Sequence, residues 1–498
     1  MHIHYFAVHK INFLRLIKSN LIEILRLFTA KEFKDFGDYL RSPVFNKNES
    51  LIKLYEYIKI YHPELDDPGL KKEKVYEVLT GKKTYNDGYM RSALFNLNKL
   101  AEDFLTNALR NPIEDEILIL EVYMKRNSDK LFEKKLKQVM EILSKDLTQD
   151  QYYYYCLYRV QSLKVAYNSK HRAFLNVKDF HEEDEFKILD TLLSFYLSTA
   201  LPEYRFFYNQ SNVVNIDLKF DFLDEIIKYL TSSGYHKKIP LLNLYFNELM
   251  LAKEDNEQNY FNLKDIIIKN IDSYTFGVKY NATGLLANKA VNEYYRGNDK
   301  FLKERFEIHE LIINKGLYKK FEESAFDDML FKNIVIVGLQ LDKIEWTESF
   351  IKDNIDKLGA EDKDNAFSLN MARLSFHKKK YIEALEHLES IKNVKHVHYK
   401  TEMKILSLMI FYEQEKYTEA IAMVDNYRHF LSNDALIPQT RKIRNSNFIK
   451  FVNELIKLKE NISEGGVYDL QFDIKNTPNT YEKEWLLLKA NEILQSIK

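Results

Sequence analysis

The chain has 498 residues, of which 13 are glycine, 8 are proline and 45% are hydrophobic. A long chain so poor in helix-breaking residues, with enough apolar surface for an extended core, indicates an almost entirely helical fold and argues against global disorder. Lys and Arg number 73 and Asp and Glu number 74, so the formal net charge of −1 provides no general attraction to nucleic acid or to an anionic membrane.

The cysteine content and the lengths of the apolar runs indicate the cellular compartment of the protein. Cys156 is the only cysteine, so no intramolecular disulfide is formed, and this usage is typical of a reducing compartment. The first residues lack the basic segment and apolar core of a secretory signal. Apolar runs such as 334–338 are too short to span a bilayer. We therefore expect a cytoplasmic protein that does not bind membranes.

Residues 1–110 form the first predicted unit, a group of short helices. Polar caps and one glycine mark where these helices begin and end. The boundary residues are Thr29 with Glu32 and Asn46 with Glu49 as capping boxes, Asp67 before Pro68, Gly81 at a helix end, and Asn86 or Asp87 at the start of a long helix. The caps predict a compact four-helix unit over 29–110.

The last two helices of this unit suggest an alternative function. A helix over 75–80, a turn and a second helix carrying Arg91, Asn98 and Lys99 match the order of a helix-turn-helix DNA-binding motif. Residues 70–110 contain eight Lys or Arg against five Asp or Glu, which is a small excess. A continuous basic stripe on the long helix would favour DNA binding, and mixed charge would favour a packing unit.

The pattern over 111–345 is typical of degenerate helical hairpins, with no Ser-, Gly- or Pro-rich linker between them. One predicted helix, over 151–168, is unusually rich in tyrosine and contains Cys156. A catalytic thiol needs a base and an electropositive environment, whereas this aromatic helix offers burial. We therefore expect Cys156 to be a small core residue.

The clearest repeat lies in residues 365–431, where one short sequence motif occurs twice. The six residues that begin at Lys380 return, with conservative changes, 36 residues later at Lys416. A small residue, Ala384 or Ala420, follows in each copy where two helices of a hairpin would cross. A third copy aligns upstream at Trp346, with an offset of 35. Fixed periods of this size are typical of arrays of helical hairpins that stack on their neighbours.

These two copies resemble the tetratricopeptide repeat. The resemblance depends on the small residue Ala372 late in the first helix, the turn aromatic Tyr381 and the small residue Ala384, while the second copy has Leu408 in place of Ala372. The family's usual proline after the second helix is absent from both copies. The resemblance implies an all-α, right-handed α-solenoid, with clearer repeats over 346–464 and a capping helix within 465–498.

The resemblance also implies a function and a surface. In such proteins the first helix of each hairpin lines a concave groove that binds a partner. The matching positions here are Leu369, Arg373, Phe376 and His377 in the first copy and Ile405, Met409, Tyr412 and Glu413 in the second. We therefore expect a protein–protein interaction scaffold that binds a protein or peptide through this groove. The alternative is that these residues pack against another part of the same chain.

An enzyme is the third class, and the sequence does not favour it. No nucleophile, base and orienting group are spaced as a catalytic set requires. The histidines near the repeats, at 377, 387, 396 and 398, have no carboxylate or cysteine at metal-ligand spacing. We therefore expect no catalytic residues, no metal site and no cofactor.

Overall fold

The computed structural model describes residues 19–497, except for 109, 147, 172–181, 215–218, 321–323, 361–362, 393, 395–396, 435–436 and 462. The chain is 80% helical, and the described residues contain no β-strand, which confirms the predicted all-α class. None of the helices in these ranges is long and apolar enough to cross a membrane. The chain divides into two compact units, residues 1–144 with 159–180, and residues 145–158 with 181–498. The finer boundaries expected at 110, 345 and 464 stay predictions.

The first unit contains seven helices within its described part, and the first five share one apolar core around Phe36, Leu54 and Leu97. Their bounds are α1 Asn20–Leu25, α2 Ala30–Arg41, α3 Glu49–Lys59, α4 Lys72–Thr80, α5 Asp87–Ala108, α6 Pro112–Lys125 and α7 Asp129–Ser144. Helix α8, Gln151–His171, contains the point where the two units divide.

Most of the predicted helix ends in this unit are confirmed. Thr29 and Glu32 form the capping box, and Gly81 ends α4 with φ +70°, a left-handed conformation that glycine adopts without strain. The second predicted box is wrong, because Asn48 caps α3 while the Asn46 side chain binds the Leu40 carbonyl. Local sequence favours either asparagine, and burial of Asn46 decides between them.

The second unit continues with helical pairs. The bounds are α9 Glu182–Val214, α10 Leu223–Ser233, α11 Pro240–Lys253, α12 Glu257–Asn270, α13 Phe276–Tyr295, α14 Lys300–Asn314, α15 Asp328–Gln340, α16 Ile344–Asn354, α17 Lys363–His377, α18 Tyr381–Glu389, α19 Val397–Glu413, α20 Tyr417–Asn433, α21 Gln439–Glu460, α22 Glu464–Asn476 and α23 Lys483–Ile497. Helix α17 packs on its hairpin partner α18 and also on α15 and α19, the first helices of the neighbouring hairpins. Cys156 is buried, as expected.

Three successive hairpins use the same turn. Asp342, Lys379 and Glu415 each adopt a left-handed conformation, with φ of 55°, 57° and 58°. The next residue in each turn donates its backbone N–H to a carbonyl five residues earlier, at 2.9 Å in all three. This geometry is the Schellman helix ending, which satisfies carbonyls that would otherwise lack partners.

The shared turn corrects the alignment of the upstream copy. Asp342 and Lys379 are equivalent, so the offset is 37 residues rather than 35. Thr347, which is fully buried, then occupies the place of Ala384. The sequence match at Trp346 was misleading because it paired aromatic residues instead of turn residues.

Ala384 and Ala372 are fully buried where α17 meets α18. We expect Ala384→Trp to separate these helices, because a well-packed core accommodates added volume only through displaced side chains and backbone. The unfolding free energy should fall by about 1–3 kcal/mol or more. Urea denaturation of the full chain measures this change, with exposed Ile382→Trp as the control. An equal effect of the two substitutions would contradict close packing at Ala384.

Candidate functional site

The candidate site is the face that the first helices α13, α15, α17, α19 and α21 present to the end of the chain. We call it the first-helix face, and we call residues 477–489 the C-terminal segment. This segment joins α22 to the first two turns of α23 and contacts the first-helix face through several side chains and its backbone.

Arg373 lies at the centre of the site. Its guanidinium donates to Glu402 of α19 at 2.5 Å and to Glu482 of the C-terminal segment at 2.7 Å. Lys332 of α15 donates to the same Glu402 carboxylate at 2.9 Å. Tyr481 donates its hydroxyl to Glu402 at 2.8 Å. Two acids, two bases and one phenol therefore form a connected network between α15, α17, α19 and the C-terminal segment.

This network is withdrawn from water. The side chains of Arg373 and Glu402 are only 3% and 5% exposed. Burial raises the pKa of Glu402, but the charges of Lys332 and Arg373 outweigh burial and bring it down to about 2. Burial lowers the pKa of Arg373, and the two carboxylates more than reverse this effect. Glu402 and Arg373 therefore keep their charges at neutral pH, because each one has partners of opposite charge.

A second anchor lies at the end of α19. The indole nitrogen of Trp485 donates to Glu413 at 2.7 Å, and its ring meets the Tyr412 ring edge-on at a centroid distance of 5.4 Å. Lys489, one turn further along α23, forms an ion pair with Glu413 at 2.8 Å. Trp485 therefore combines a large apolar contact with a hydrogen bond, as buried tryptophans usually do.

A third anchor reaches α13, far back in the chain. Tyr294 donates its hydroxyl to Glu484 at 2.9 Å, across a separation of 190 residues. The backbone N–H of Asn479 donates to the Tyr295 carbonyl at 3.1 Å, and that of Tyr481 donates to the Arg444 carbonyl at 3.3 Å. The C-terminal segment thus contacts α13, α17, α19 and α21.

Two residues of the C-terminal segment have strained backbone. Asn479 and Glu482 have φ of 53° and 48°, in the left-handed region that non-glycine residues seldom occupy. Each such residue costs on the order of 1–3 kcal/mol and persists only where surrounding contacts enforce it. Here the contacts are the backbone bond from Asn479 to α13 and the ion pair of Glu482 with Arg373.

The structure places six of the eight predicted groove residues in the interior, and Glu413 is partly exposed. The buried ones are Leu369, Arg373, Phe376, Ile405, Met409 and Tyr412. His377 is partly exposed, and burial lowers its pKa. Arg373 and Tyr412 contact the C-terminal segment directly. The chain's own terminus therefore covers part of the surface that the sequence assigned to a partner.

Several members of the site carry no recognisable signal in the sequence. They are Lys332, Glu402, Tyr481, Glu482 and Trp485. Each lies in a segment predicted as an ordinary helix or as a capping element. Trp485 is one of only two tryptophans in the chain, and that rarity is the one signal that singles it out.

The residues of the DNA-binding alternative lie on α5 in the first unit. Arg91 is exposed and donates to Asp87 at 2.6 Å, and Asn98 donates to Glu102 at 3.0 Å. Lys99 is exposed, as are the acidic Glu102 and Asp103. The exposed face of α5 therefore has mixed charge and no continuous basic stripe.

Within the described ranges, no group of three or more His, Cys, Asp or Glu side chains is arranged to hold a metal ion. Of the clustered histidines, His396 and the His398 side chain lie outside the described residues. Comparison of the chain with protein-family models, with curated proteins and with solved structures found no match in any of the three.

Proposed function

We propose that this protein is a non-enzymatic interaction scaffold of the cytoplasm, built as a right-handed solenoid of tetratricopeptide-like hairpins. Its concave groove would be the first-helix face. The partner would be a protein or peptide with an acidic and aromatic segment, bound where the C-terminal segment lies. No catalytic group or cofactor takes part in this proposal.

One observation carries the proposal: a short linear stretch of this chain already binds the first-helix face in the manner of a peptide. Over five residues, Tyr481, Glu482 and Trp485 each enter a different buried contact with Glu402, Arg373 and Glu413 respectively. Buried aromatic anchors and paired charges are the features that dominate peptide and protein interfaces. The same face would accept an equivalent segment from another protein.

The energies of these contacts favour reversible binding of the C-terminal segment, so that a partner segment can replace it. A buried ion pair contributes little net stability, because the loss of hydration offsets the attraction between the charges. The strained residues Asn479 and Glu482 reduce the gain further. The C-terminal segment keeps its advantage mainly through its covalent connection, which for a short link corresponds to an effective concentration in the millimolar range.

The test supplies the segment as a separate molecule. A fluorescent peptide covering residues 477–489 is titrated into the full chain carrying Glu482→Ala and Trp485→Ala, and its anisotropy is recorded. We expect saturable binding to this variant and at least about tenfold weaker binding to the unaltered chain, where the peptide competes with the tethered segment. Circular dichroism establishes that the variant remains folded.

A peptide with the same two alanines is the matched control and should bind neither chain. If the native peptide fails to bind the folded variant, the first-helix face has no affinity for a free segment and the proposal fails. Binding that is equally strong with the control peptide would also contradict it, because the anchors would then contribute nothing.

A further inference from the structure

A cavity lies beside the buried ion network, entirely within the second unit. Its volume is about 140 Å³. Tyr481 and Glu402 are among its lining residues. Basic side chains form much of the remainder, namely Arg305 of α14, Lys332 of α15, and Arg441 and Arg444 of α21. Four positive charges therefore line the cavity together with one negative charge.

That one negative charge is already neutralised. Glu402 pairs with Lys332 and also with Arg373, which lies outside the cavity lining. The three arginines of the cavity, by contrast, form no ion pair with any residue that the structure describes. The cavity thus has an excess of positive charge that the described part of the protein leaves without a partner.

Arg305 is the most unusual member of this set. The residue is 4% exposed, and its Nε and Nη1 atoms are buried without a hydrogen-bond acceptor among the described residues. Its guanidinium carbon lies 5.1 Å from the centre of the Tyr294 ring and 5.9 Å from that of Tyr295. The rings favour a cation but supply no acceptor in the guanidinium plane, so the donors at Nε and Nη1 remain unused.

Arg444 of α21 likewise combines an aromatic contact with a donor that lacks an acceptor. Its guanidinium carbon lies 3.5 Å from the centre of the Tyr295 ring, and its Nε also lacks an acceptor in the described structure. The guanidinium groups of Arg305 and Arg444 therefore approach the same aromatic ring. Arg444 and Arg441, which lies one turn earlier on α21, are both partly buried. An unpartnered buried charge is costly, so this arrangement is expected only where a ligand completes it.

We propose that this cavity binds a small phosphate group. Three free guanidinium groups match a doubly charged oxyanion better than a single carboxylate, and their planar N–H pairs fit phosphate oxygens in bidentate fashion. The volume is below that of sites for drug-sized ligands, which suits an ion or the phosphate end of a small ester. This inference is independent of whether the first-helix face binds a partner.

The test is calorimetric titration of inorganic phosphate into the full chain at constant ionic strength. We expect saturable binding of one phosphate per chain. Acetate at the same ionic strength should give only heat of dilution. Arg305→Met and Arg444→Gln should each weaken phosphate binding about tenfold or more, because each removes hydrogen bonds to a charged group. Lys450→Gln, an exposed substitution on α21, should leave the affinity unchanged.

O-phosphoserine distinguishes the two sources of the phosphate group. Tighter binding of phosphoserine than of phosphate would assign the cavity to a phosphate ester, and the reverse would assign it to the free ion. Both results support the proposal. Acetate binding as tightly as phosphate would overturn it, and so would phosphate binding that Arg305→Met leaves unaltered.

Thermal melting provides a second readout that does not depend on calorimetry. At one phosphate concentration, phosphate should raise the melting temperature of the unaltered chain more than that of Arg305→Met, because stabilisation by a ligand of the folded state falls as its affinity falls. In phosphate-free buffer Arg305→Met should melt no lower than the unaltered chain, since the substitution removes an uncompensated charge. A lower melting temperature without phosphate would mean that Arg305 has a structural role, which would overturn the proposal.

Discussion

Replacement of Arg373 by methionine should destabilise the protein by about 3–5 kcal/mol, the largest effect that we expect from any single substitution. Methionine keeps the apolar contacts of the arginine stem but leaves the Glu402 and Glu482 carboxylates with less positive charge in a buried site. Urea denaturation at pH 7 measures the change. Arg428→Met, which removes an arginine from an exposed ion pair with Asp425, is the control and should cost about 1 kcal/mol or less.

The pH dependence of stability tests the same network. Glu402 has a pKa of about 2 in the folded protein against an ordinary value of 4.5. A lowered carboxyl pKa stabilises the folded state above the ordinary value, and this contribution disappears as the pH falls through the folded-state value. The unaltered chain should therefore lose stability between about pH 4.5 and 2, and Arg373→Met should lose less of it. Equal acid sensitivity of the two proteins would contradict the assigned role of Arg373.

The second large change in stability is expected at Glu248 on α11, a helix that is not part of the first-helix face. Its side chain is 4% exposed and lies 3.2 Å from the Nε atom of Arg205 on α9. Burial raises the pKa of Glu248 to about 7, and the arginine only partly offsets this effect. We expect Glu248→Gln to stabilise the protein at pH 8 by up to about 3 kcal/mol, because the neutral amide neither takes up a proton nor buries a charge on folding.

The direction of this pH dependence follows from the pKa of Glu248 in the unfolded chain and its higher pKa in the folded chain. Between about pH 4.5 and 7 the unfolded chain has a deprotonated Glu248 while the folded chain keeps the proton, so stability falls as the pH rises. The advantage of Glu248→Gln should therefore be small at pH 4.5, grow up to pH 7 and then remain constant. Melting curves across this range measure it, with exposed Glu225→Gln as the control. A variant that is less stable than the unaltered chain at pH 8 would mean that the ionised Glu248–Arg205 pair is favourable.

The buried network around Arg373 fixes the position of the C-terminal segment more than it stabilises the folded protein. Ion pairs in an apolar interior gain little over well-packed hydrophobic residues, but a mismatched pairing leaves a charge without a partner. Glu482 and Tyr481 therefore fix the position of the C-terminal segment on the first-helix face. The same selectivity would apply to a partner segment, which would need an acid and a phenol in adjacent positions.

The sequence by itself determined the helices, many of their ends and the clearest hairpins. These features depend on residues close together in the chain, such as the Thr29–Glu32 box and the small residues Ala384 and Ala420. Hydrogen bonds at helix ends and helical periodicity act within a few residues, so they are visible without a tertiary structure. Even there, the sequence match at Trp346 places the upstream repeat two residues out of register, and the left-handed turn at Asp342 shows the correct alignment.

Only the tertiary structure decided what covers the first-helix face. Arg373 was predicted at the surface of a groove, but its partner Glu482 lies 109 residues later in the chain. Similarly, Tyr294 meets Glu484 across 190 residues. Contacts over such separations have no periodic signature, because any of the 74 acidic residues is a candidate partner for a given base. The burial of charge and the cluster of unpaired arginines result from bringing distant segments together, and the order of residues alone does not contain this information.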